Sequence, residues 1–147
     1  MNDQVANSQK ITVNTVLAAE RKKVWEYYTQ PIHMTQWNVP SRQWECLRVE
    51  NDPRKGGKLF VRMEARDHSF GFDFEAVYET VQTEQFLSYT LTDGRNVQVW
   101  FEDLGLQTKV SVRLDTEPKN CPKMQQQDRQ AILERFKRYV ETKESTQ

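Results

Sequence analysis

The chain has 147 residues, of which 21 are basic and 21 acidic, so its formal net charge is zero. This length suits one domain with a substantial buried core, and the 7 Phe, 5 Tyr and 4 Trp exclude collagenous, disulfide-rich and disordered classes. Because nucleic-acid binding usually needs a basic excess and no segment approaches the ~20 apolar residues that span a membrane, we expect neither nucleic acid as a partner nor membrane insertion.

The two ends of the chain are polar. Residues 1–10 lack the apolar stretch of a signal peptide, and we expect them to form a flexible tail, as we do for residues 144–147. Between them the sequence predicts a single domain over residues 11–143. Cys46 and Cys121 are isolated, which fits a reducing compartment better than a disulfide framework. The predicted location is therefore the cytoplasm.

The first third of the chain predicts one strand and two short helices. Residues 11–17 alternate between apolar and polar side chains, as a strand does. A helix is predicted over residues 19–29, where apolar side chains cluster towards one side. Pro31 suits the first position of a second short helix that ends near Trp37, because the missing N–H of proline costs nothing there.

The middle of the chain predicts successive antiparallel strands. From Phe70 to Tyr78, aromatic residues alternate with mostly acidic ones, which gives one aromatic face. Turn residues separate the segments at short intervals, which predicts a meander. The predicted strands are residues 45–50 (with Leu47 and Val49 on one face), 58–66, 70–79, 86–92, 97–101 and 109–114.

The last segment has a different period. From Met124 to Thr142, apolar residues recur at spacings of 3, 4 and 7, which is the pattern of an amphipathic helix. A sheet with one apolar face must bury it, and this helix is long enough to do so. The predicted fold class is therefore α+β: one strand, two short helices, about six further antiparallel strands and a long C-terminal helix.

Several motifs resemble the AHSA-type domains of the START-like (SRPBCC) superfamily. The most specific is RMEARD at residues 62–67, followed by SFGFDF at residues 69–74. The motifs at residues 37–58 and 131–141 match as well, and the resemblance covers about residues 11–143. It implies a helix-grip fold, a curved antiparallel sheet wrapped around the C-terminal helix with a cavity between them, similar to lipid-transfer, polyketide-cyclase and pollen-allergen domains. It also implies similarity to the C-terminal domain of the eukaryotic Hsp90 ATPase activator.

Two sites depart from the pattern of these relatives. His68 stands in a turn where relatives often carry Gly, and Asp128-Arg129 stands where they often begin the last helix with Gly-Trp. On a helical wheel, Asp128 lies close to the centre of the apolar stripe and Arg129 lies near its edge. We expect this charge pair to change the lining or the mouth of the cavity.

Few residues offer catalytic or metal-binding chemistry. His33, on the second predicted helix, faces either solvent or the cavity, where it would act as a base or a pH-sensitive latch, and His68 is expected at the surface. Cys46 has no visible partner to activate its thiol and fits burial as a small apolar residue. The sequence contains no metal-ligand spacing, phosphate-binding loop or nucleophile elbow. We therefore predict no catalytic residue, no metal and no cofactor.

The aromatic residues allow two interpretations. They either fill a core, because aromatic rings bury large areas, or form a pocket wall, because ligand sites are mainly apolar with a few placed polar groups. Trp37 and Trp44 flank a loop that would lie over one end of the sheet and gate the cavity. Asp128 and Arg135 form either a polar edge of the cavity or a surface ion pair. The candidate ligand-binding residues are Trp37, Trp44, Met63, Phe72, Phe74, Tyr89, Met124, Asp128, Ile132 and Arg135.

Three functions follow as alternatives. The leading one is a small-molecule binding module that holds an apolar, aromatic or lipid-like ligand between the sheet and the last helix. The first alternative is a chaperone-linked interaction domain of the stress response, as the name of the resembled family suggests. The second is an enzyme of the cyclase or hydrolase type, for which His33, Tyr89, Asp128 and Arg135 are the available polar groups. We expect a monomer or a homodimer.

Overall fold

A computed structural model describes residues 9–145 of the chain. It confirms the predicted α+β class and the predicted order of the elements. The long helix begins at Pro122, where proline is tolerated in the first turn. The elements are β1 (Lys10–Leu17), α1 (Arg21–Thr29), α2 (Pro31–Trp37), β2 (Trp44–Asn51), β3 (Lys58–Ala65), β4 (Gly71–Gln82), β5 (Phe86–Leu91), β6 (Asn96–Asp103), β7 (Thr108–Asp115) and α3 (Pro122–Ser145).

Regular structure extends slightly beyond the predicted domain limits. β1 begins at Lys10 and α3 ends at Ser145, whereas the sequence predicts tails over residues 1–10 and 144–147. The backbone N–H of Gln9 donates to Oγ1 of Thr116 at 3.1 Å, which attaches the start of the described chain to the segment after β7. The remainder of the two predicted tails, residues 1–8 and 146–147, lies outside the described residues.

The seven strands form one antiparallel sheet in the order β1-β7-β6-β5-β4-β3-β2. Consecutive strands from β2 to β7 pair through short turns, which is the predicted meander. β1 completes the far edge beside β7, with Ile11 opposite Leu114. The segment that carries α1 and α2 therefore connects the two edge strands of the sheet, and α1 contacts β6 while α2 contacts β2.

Alternating apolar residues on β1, β6 and β7 form the floor of the core. Val13 on β1 and Val99 on β6 both lie opposite Val112 on β7, and all three are buried. α3 covers this part of the sheet with Leu133, Phe136 and Val140, its buried residues. Their spacing of three and four places them on one face. Each such fully buried side chain contributes about 1.5–3 kcal/mol, so this packing fixes the position of α3 over the sheet.

Two β-bulges change the faces that alternation predicts. The pairing of β2 with β3 shifts between Cys46 and Arg48, so that Cys46 is buried while Leu47 is 50% exposed. The prediction that Leu47 shares a face with Val49 is therefore wrong, because an extra residue in one strand inverts the side-chain direction beyond it. A second shift, on β4 just after Tyr78, ends the regular alternation of the aromatic face.

The turn between β3 and β4 holds His68 in the left-handed region. Its φ is 63°, a conformation that favours glycine, and its backbone N–H donates to the carbonyl of Ala65 at 2.9 Å. The side chain is exposed, as predicted. A glycine would adopt this backbone conformation at lower cost than His68 does.

Candidate ligand cavity

A cavity of about 330 Å³ lies between the sheet and the helices. Its sheet wall consists of side chains that the alternation of β3, β4 and β5 directs to one face. This wall is mostly aliphatic and aromatic. The residues are Leu59, Val61 and Met63 on β3, Phe72, Phe74 and Tyr78 on β4, and Leu87 and Tyr89 on β5.

The opposite wall comes from all three helices. Tyr28 of α1 and Met34 and Trp37 of α2 contribute apolar surface. The first half of α3 contributes Asp128, Arg129 and Ile132. Its second half lines no part of the cavity, because there Phe136 and Val140 pack into the core.

A polar rim surrounds part of the cavity where β7 leads into α3. The amide of Gln125 accepts from the backbone N–H of Glu117 at 2.7 Å and donates to the carbonyls of Glu117 at 2.8 Å and Asn120 at 2.9 Å. The carboxylate of Glu117 accepts from the amide of Asn120 at 2.7 Å. Across the rim, Arg95 pairs with Asp93 at 2.8 Å. These rim groups therefore form hydrogen bonds or ion pairs with one another or with the adjacent turn.

Trp37 is held in a single orientation. Its indole N–H donates to the carbonyl of Tyr27 at 2.9 Å, and its ring lies 4.8 Å from that of Phe136 and 5.0 Å from that of Tyr28. The side chain is buried and lines the cavity. The two interpretations of this residue, core and cavity wall, therefore both apply.

Three tyrosines present hydroxyl groups around the cavity. Tyr78 donates to Oδ1 of Asn51 at 2.7 Å. Tyr89 is buried and lines the cavity together with Arg129. Burial raises the pKa of Tyr28, of Tyr78 and of Tyr89 above the ordinary value for tyrosine. The nearby charge of Arg129 lowers the pKa of Tyr28 and Tyr89, but by less than burial raises it. All three side chains are therefore neutral hydrogen-bond donors at neutral pH.

The structure brings most of the predicted site residues to this cavity. The predicted residues that line it are Trp37, Met63, Phe72, Phe74, Tyr89, Asp128 and Ile132. Asp128 is exposed, which places it at the mouth, and Phe72 is also exposed at that end.

Three predicted residues lie elsewhere. Met124 is 63% exposed on the first turn of α3. Trp44 packs its ring against Phe70 at 6.2 Å and Phe72 at 5.8 Å, beside the mouth rather than inside. Arg135 lies almost one helical turn beyond Ile132, past the last cavity-lining residue of α3, and neither a polar cavity edge nor an ion pair with Asp128 forms in the described part of the chain.

The sequence prediction missed several lining residues. Tyr28 and Tyr78 lie on the apolar faces of α1 and β4, so their periodicity is a usable signal. From the sequence, Arg129 is only half of a charge pair near the edge of the helix stripe. The rim residues Glu117, Asn120 and Gln125 carry no periodic signal, because they belong to a connection and to the first turn of a helix.

The remaining reactive groups lie outside the cavity. His33 is half-buried, and its Nδ1 lies 2.7 Å from the hydroxyl of Tyr139 on α3. Burial raises the pKa of the Cys46 thiol to about 11, which leaves it protonated and unreactive at neutral pH. Residues 9–145 contain no group of three or more His, Cys, Asp or Glu side chains placed to hold a metal ion. Nor, in this same range, is any helix long and apolar enough to cross a membrane.

Comparisons with known proteins agree on the fold and the family. The family described as Activator of Hsp90 ATPase homolog 1-like protein matches residues 18–141. The chain is similar to an AHSA1-like protein from Aeromonas hydrophila, at 34% identity over 92% of this chain and 94% of that one, with a TM-score of 0.86. It is also similar to a protein from Cytophaga hutchinsonii, at 37% identity over 94% of this chain and 96% of that one, with a TM-score of 0.80.

A protein from Chromobacterium violaceum shares the fold at 19% identity, with a TM-score of 0.81 over 92% of this chain and 98% of that one. No curated protein matches the chain. The family match covers most of the chain, and the structure shows a seven-stranded antiparallel sheet closed by a long C-terminal helix. The chain therefore belongs to the AHSA1 family, within the START-like helix-grip superfamily.

Proposed function

We propose that the protein is a small-molecule binding module that holds an apolar ligand in the cavity between the sheet and α3. The single observation that carries this proposal is the cavity itself, about 330 Å³ in volume, with aliphatic and aromatic walls and a few polar groups. This volume lies at the lower end of the range of small-molecule sites, about 300–1,000 Å³. Because this fold hosts many functions, the proposal rests on the cavity rather than on the family.

The lining favours a flat, apolar ligand over a polar one. Trp37, Phe74 and Met63 offer aromatic and thioether surface, and rings stack on such surfaces with favourable geometry. The hydroxyls of Tyr28 and Tyr89, which donate to no described residue, are available to give the ligand specific hydrogen bonds, as the few polar groups of apolar sites do. An aromatic ligand, or one with a short lipid-like body, fits this combination.

Binding is tested by filling the cavity. Ile132→Trp places a larger side chain in the lining, whereas Ile32→Trp makes the same change on the exposed surface of α2. We expect calorimetric titration with a neutral aromatic probe, naphthamide, to show saturable binding to the wild type and to Ile32→Trp, and none to Ile132→Trp. Equal affinity of all three proteins, or no saturable binding to the wild type, would contradict the proposal.

A second candidate, contact with a chaperone, has one observation in its favour. Trp44, Phe70 and Phe72 form a cluster of mutually packed rings beside the cavity mouth, and Phe70 is 60% exposed. Exposed aromatic clusters mark interaction sites in many proteins. The description of the family names the chaperone to test, Hsp90.

The chaperone candidate is tested with the ATPase rate of Hsp90. We expect the wild type to change that rate and Phe70→Ser to lose the effect. Leu106→Ser, at the exposed turn between β6 and β7, is the matched control and should retain it. An unchanged rate at high molar excess of the wild type would exclude this candidate.

A further inference from the structure

The side chain of Arg129 on α3 brings a positive charge to the cavity wall that carries Tyr28 and Tyr89. It lines the cavity and is half-buried. Its positive charge lowers the pKa of Tyr89 and of Tyr28, against the larger effect of burial. Both tyrosines line the same cavity. Arg129 and the two tyrosines therefore belong to the polar part of a cavity lining that is otherwise mostly apolar on its sheet side.

No carboxylate neutralises Arg129 within residues 9–145, since none of the ion pairs there includes it. Asp128 is its neighbour in sequence, but successive helical residues point about 100° apart, and Asp128 is exposed at the mouth. The carboxylate of Glu117 accepts a hydrogen bond from Asn120. The cavity lining thus includes a guanidinium group that forms no ion pair with any described carboxylate.

An uncompensated, partly buried charge is costly, and this cost is offset when a ligand supplies the opposite charge. A guanidinium group presents parallel N–H donors that match the two oxygens of a carboxylate. The neutral hydroxyl of Tyr28 makes no hydrogen bond within the described part of the chain, so it adds a donor to the same cavity lining. Arg129 and the Tyr28 hydroxyl thus offer hydrogen-bond donors to a ligand in the cavity.

The rest of the cavity determines what carries that anion. Trp37, Phe74 and Ile132 are apolar and line the remaining walls. A small inorganic anion would leave this surface in contact with water, whereas an organic acid would cover it. A carboxylic acid with an apolar skeleton matches both the guanidinium group of Arg129 and the apolar walls.

We infer that Arg129, with Tyr28 and Tyr89, is the carboxylate subsite of the cavity, and that the ligand is an apolar monocarboxylic acid of aromatic or short aliphatic type. This inference rests on the proposed binding function and specifies its ligand class. Arg129 acts as a binding residue whose charge selects acids over their neutral counterparts.

The test compares naphthoate with naphthamide, which have the same ring system and differ in charge. We expect the wild type to bind naphthoate about 10-fold or more tightly than naphthamide, since a hydrogen bond to a charged group is worth more than a neutral one. Arg129→Gln should lose this preference and keep its affinity for naphthamide. Arg138→Gln, an exposed change on the same helix, should leave both affinities unchanged.

The outcomes separate this inference from the proposed function. Equal binding of both probes to the wild type, or a preference for naphthoate that survives in Arg129→Gln, overturns the carboxylate subsite while the binding cavity stands. Failure of the wild type to bind either probe overturns both. Arg129→Lys keeps the charge without the planar fork and should retain part of the preference, which provides a second test if Arg129→Gln does not fold.

Discussion

The hydroxyl of Tyr78 on β4 donates a hydrogen bond to Oδ1 of Asn51, at the end of β2, with a distance of 2.7 Å. The amide of Asn51 in turn donates to the carbonyl of Thr29 at 2.7 Å, at the end of α1. Tyr78 lines the cavity, and β2 is the edge strand two places away in the sheet. This chain of hydrogen bonds fixes the cavity wall relative to the helices that cover it.

Tyr78→Phe removes this hydrogen bond and leaves a partly buried amide without its partner. We expect the free energy of unfolding to fall by about 1–3 kcal/mol, measured by urea denaturation. Tyr28→Phe is the control, because the hydroxyl of Tyr28 makes no hydrogen bond within the described residues, and it should cost less than about 0.5 kcal/mol. Equal losses in the two variants would contradict the role assigned to the Tyr78 hydroxyl.

The turn between β2 and β3 depends on a close approach at Gly57. A Cβ atom at this position would overlap the carbonyl oxygen of Asp52, a backbone atom that cannot move aside without shifting the turn. Gly57→Ala should therefore lower the free energy of unfolding by about 3 kcal/mol or more.

Gly94→Ala provides the comparison for this turn. Gly94 has φ of 93°, but a Cβ atom added there would meet no atom within 4 Å, so its cost is conformational strain alone, about 1–2 kcal/mol. Thermal unfolding of the wild type and the two variants measures both losses of stability. A smaller loss for Gly57→Ala than for Gly94→Ala would contradict the steric explanation.

The two cysteines should differ in reactivity. Cys46 is buried and its pKa is raised to about 11, while Cys121 is exposed. Because the thiolate is the reacting form, a thiol reagent at neutral pH should label Cys121 quickly in the folded protein and Cys46 only after denaturation. Cys121→Ser should abolish the fast phase. A fast phase that persists in Cys121→Ser would place Cys46 in a more open environment than the structure gives it.

His33 should make stability depend on pH. Burial, together with the nearby charge of Lys143, lowers the pKa of His33, and Glu26 opposes this shift. The unfolded chain then binds the histidine proton more tightly than the folded one, so the free energy of unfolding falls as the pH drops below about 6.5. His33→Gln should reduce this fall between about pH 7 and about pH 5. A midpoint at or above about 6.5 for the His33 ring in an NMR titration would contradict the assignment.

The sequence predicted the fold well because alternation and helical periodicity report directly on which face is buried. Residues 70–79 show the limit of that signal. The alternation predicts which face of the sheet these side chains lie on. It does not predict that Phe70 and Phe72 lie near the cavity mouth and are exposed there. The sequence also does not predict the β-bulge next to Leu47. The position of an extra residue depends on how β2 pairs with β3, and the alternation within one strand does not report on that pairing.

The site was harder to predict than the fold because a cavity depends on position along the helix axis as well as on angle. A helical wheel places Asp128 at the centre of the apolar stripe and Met124 near it, yet both are exposed. Arg129, at the edge of the stripe, is half-buried and lines the cavity instead. These residues differ in how far they are buried. That burial is determined by how α3 packs against the sheet, which the helical wheel does not contain.

The proposed binding of a ligand in the cavity is tested most directly at the methionine methyl groups. Met34 and Met63 line the cavity, whereas Met124 is exposed outside it. In protein with isotope-labelled methionine methyl groups, naphthamide should shift the NMR signals of Met34 and Met63 saturably and show intermolecular NOEs to them, with the Met124 signal unchanged. A shift confined to Met124, or no shift at any of the three methionines, would contradict binding in the cavity.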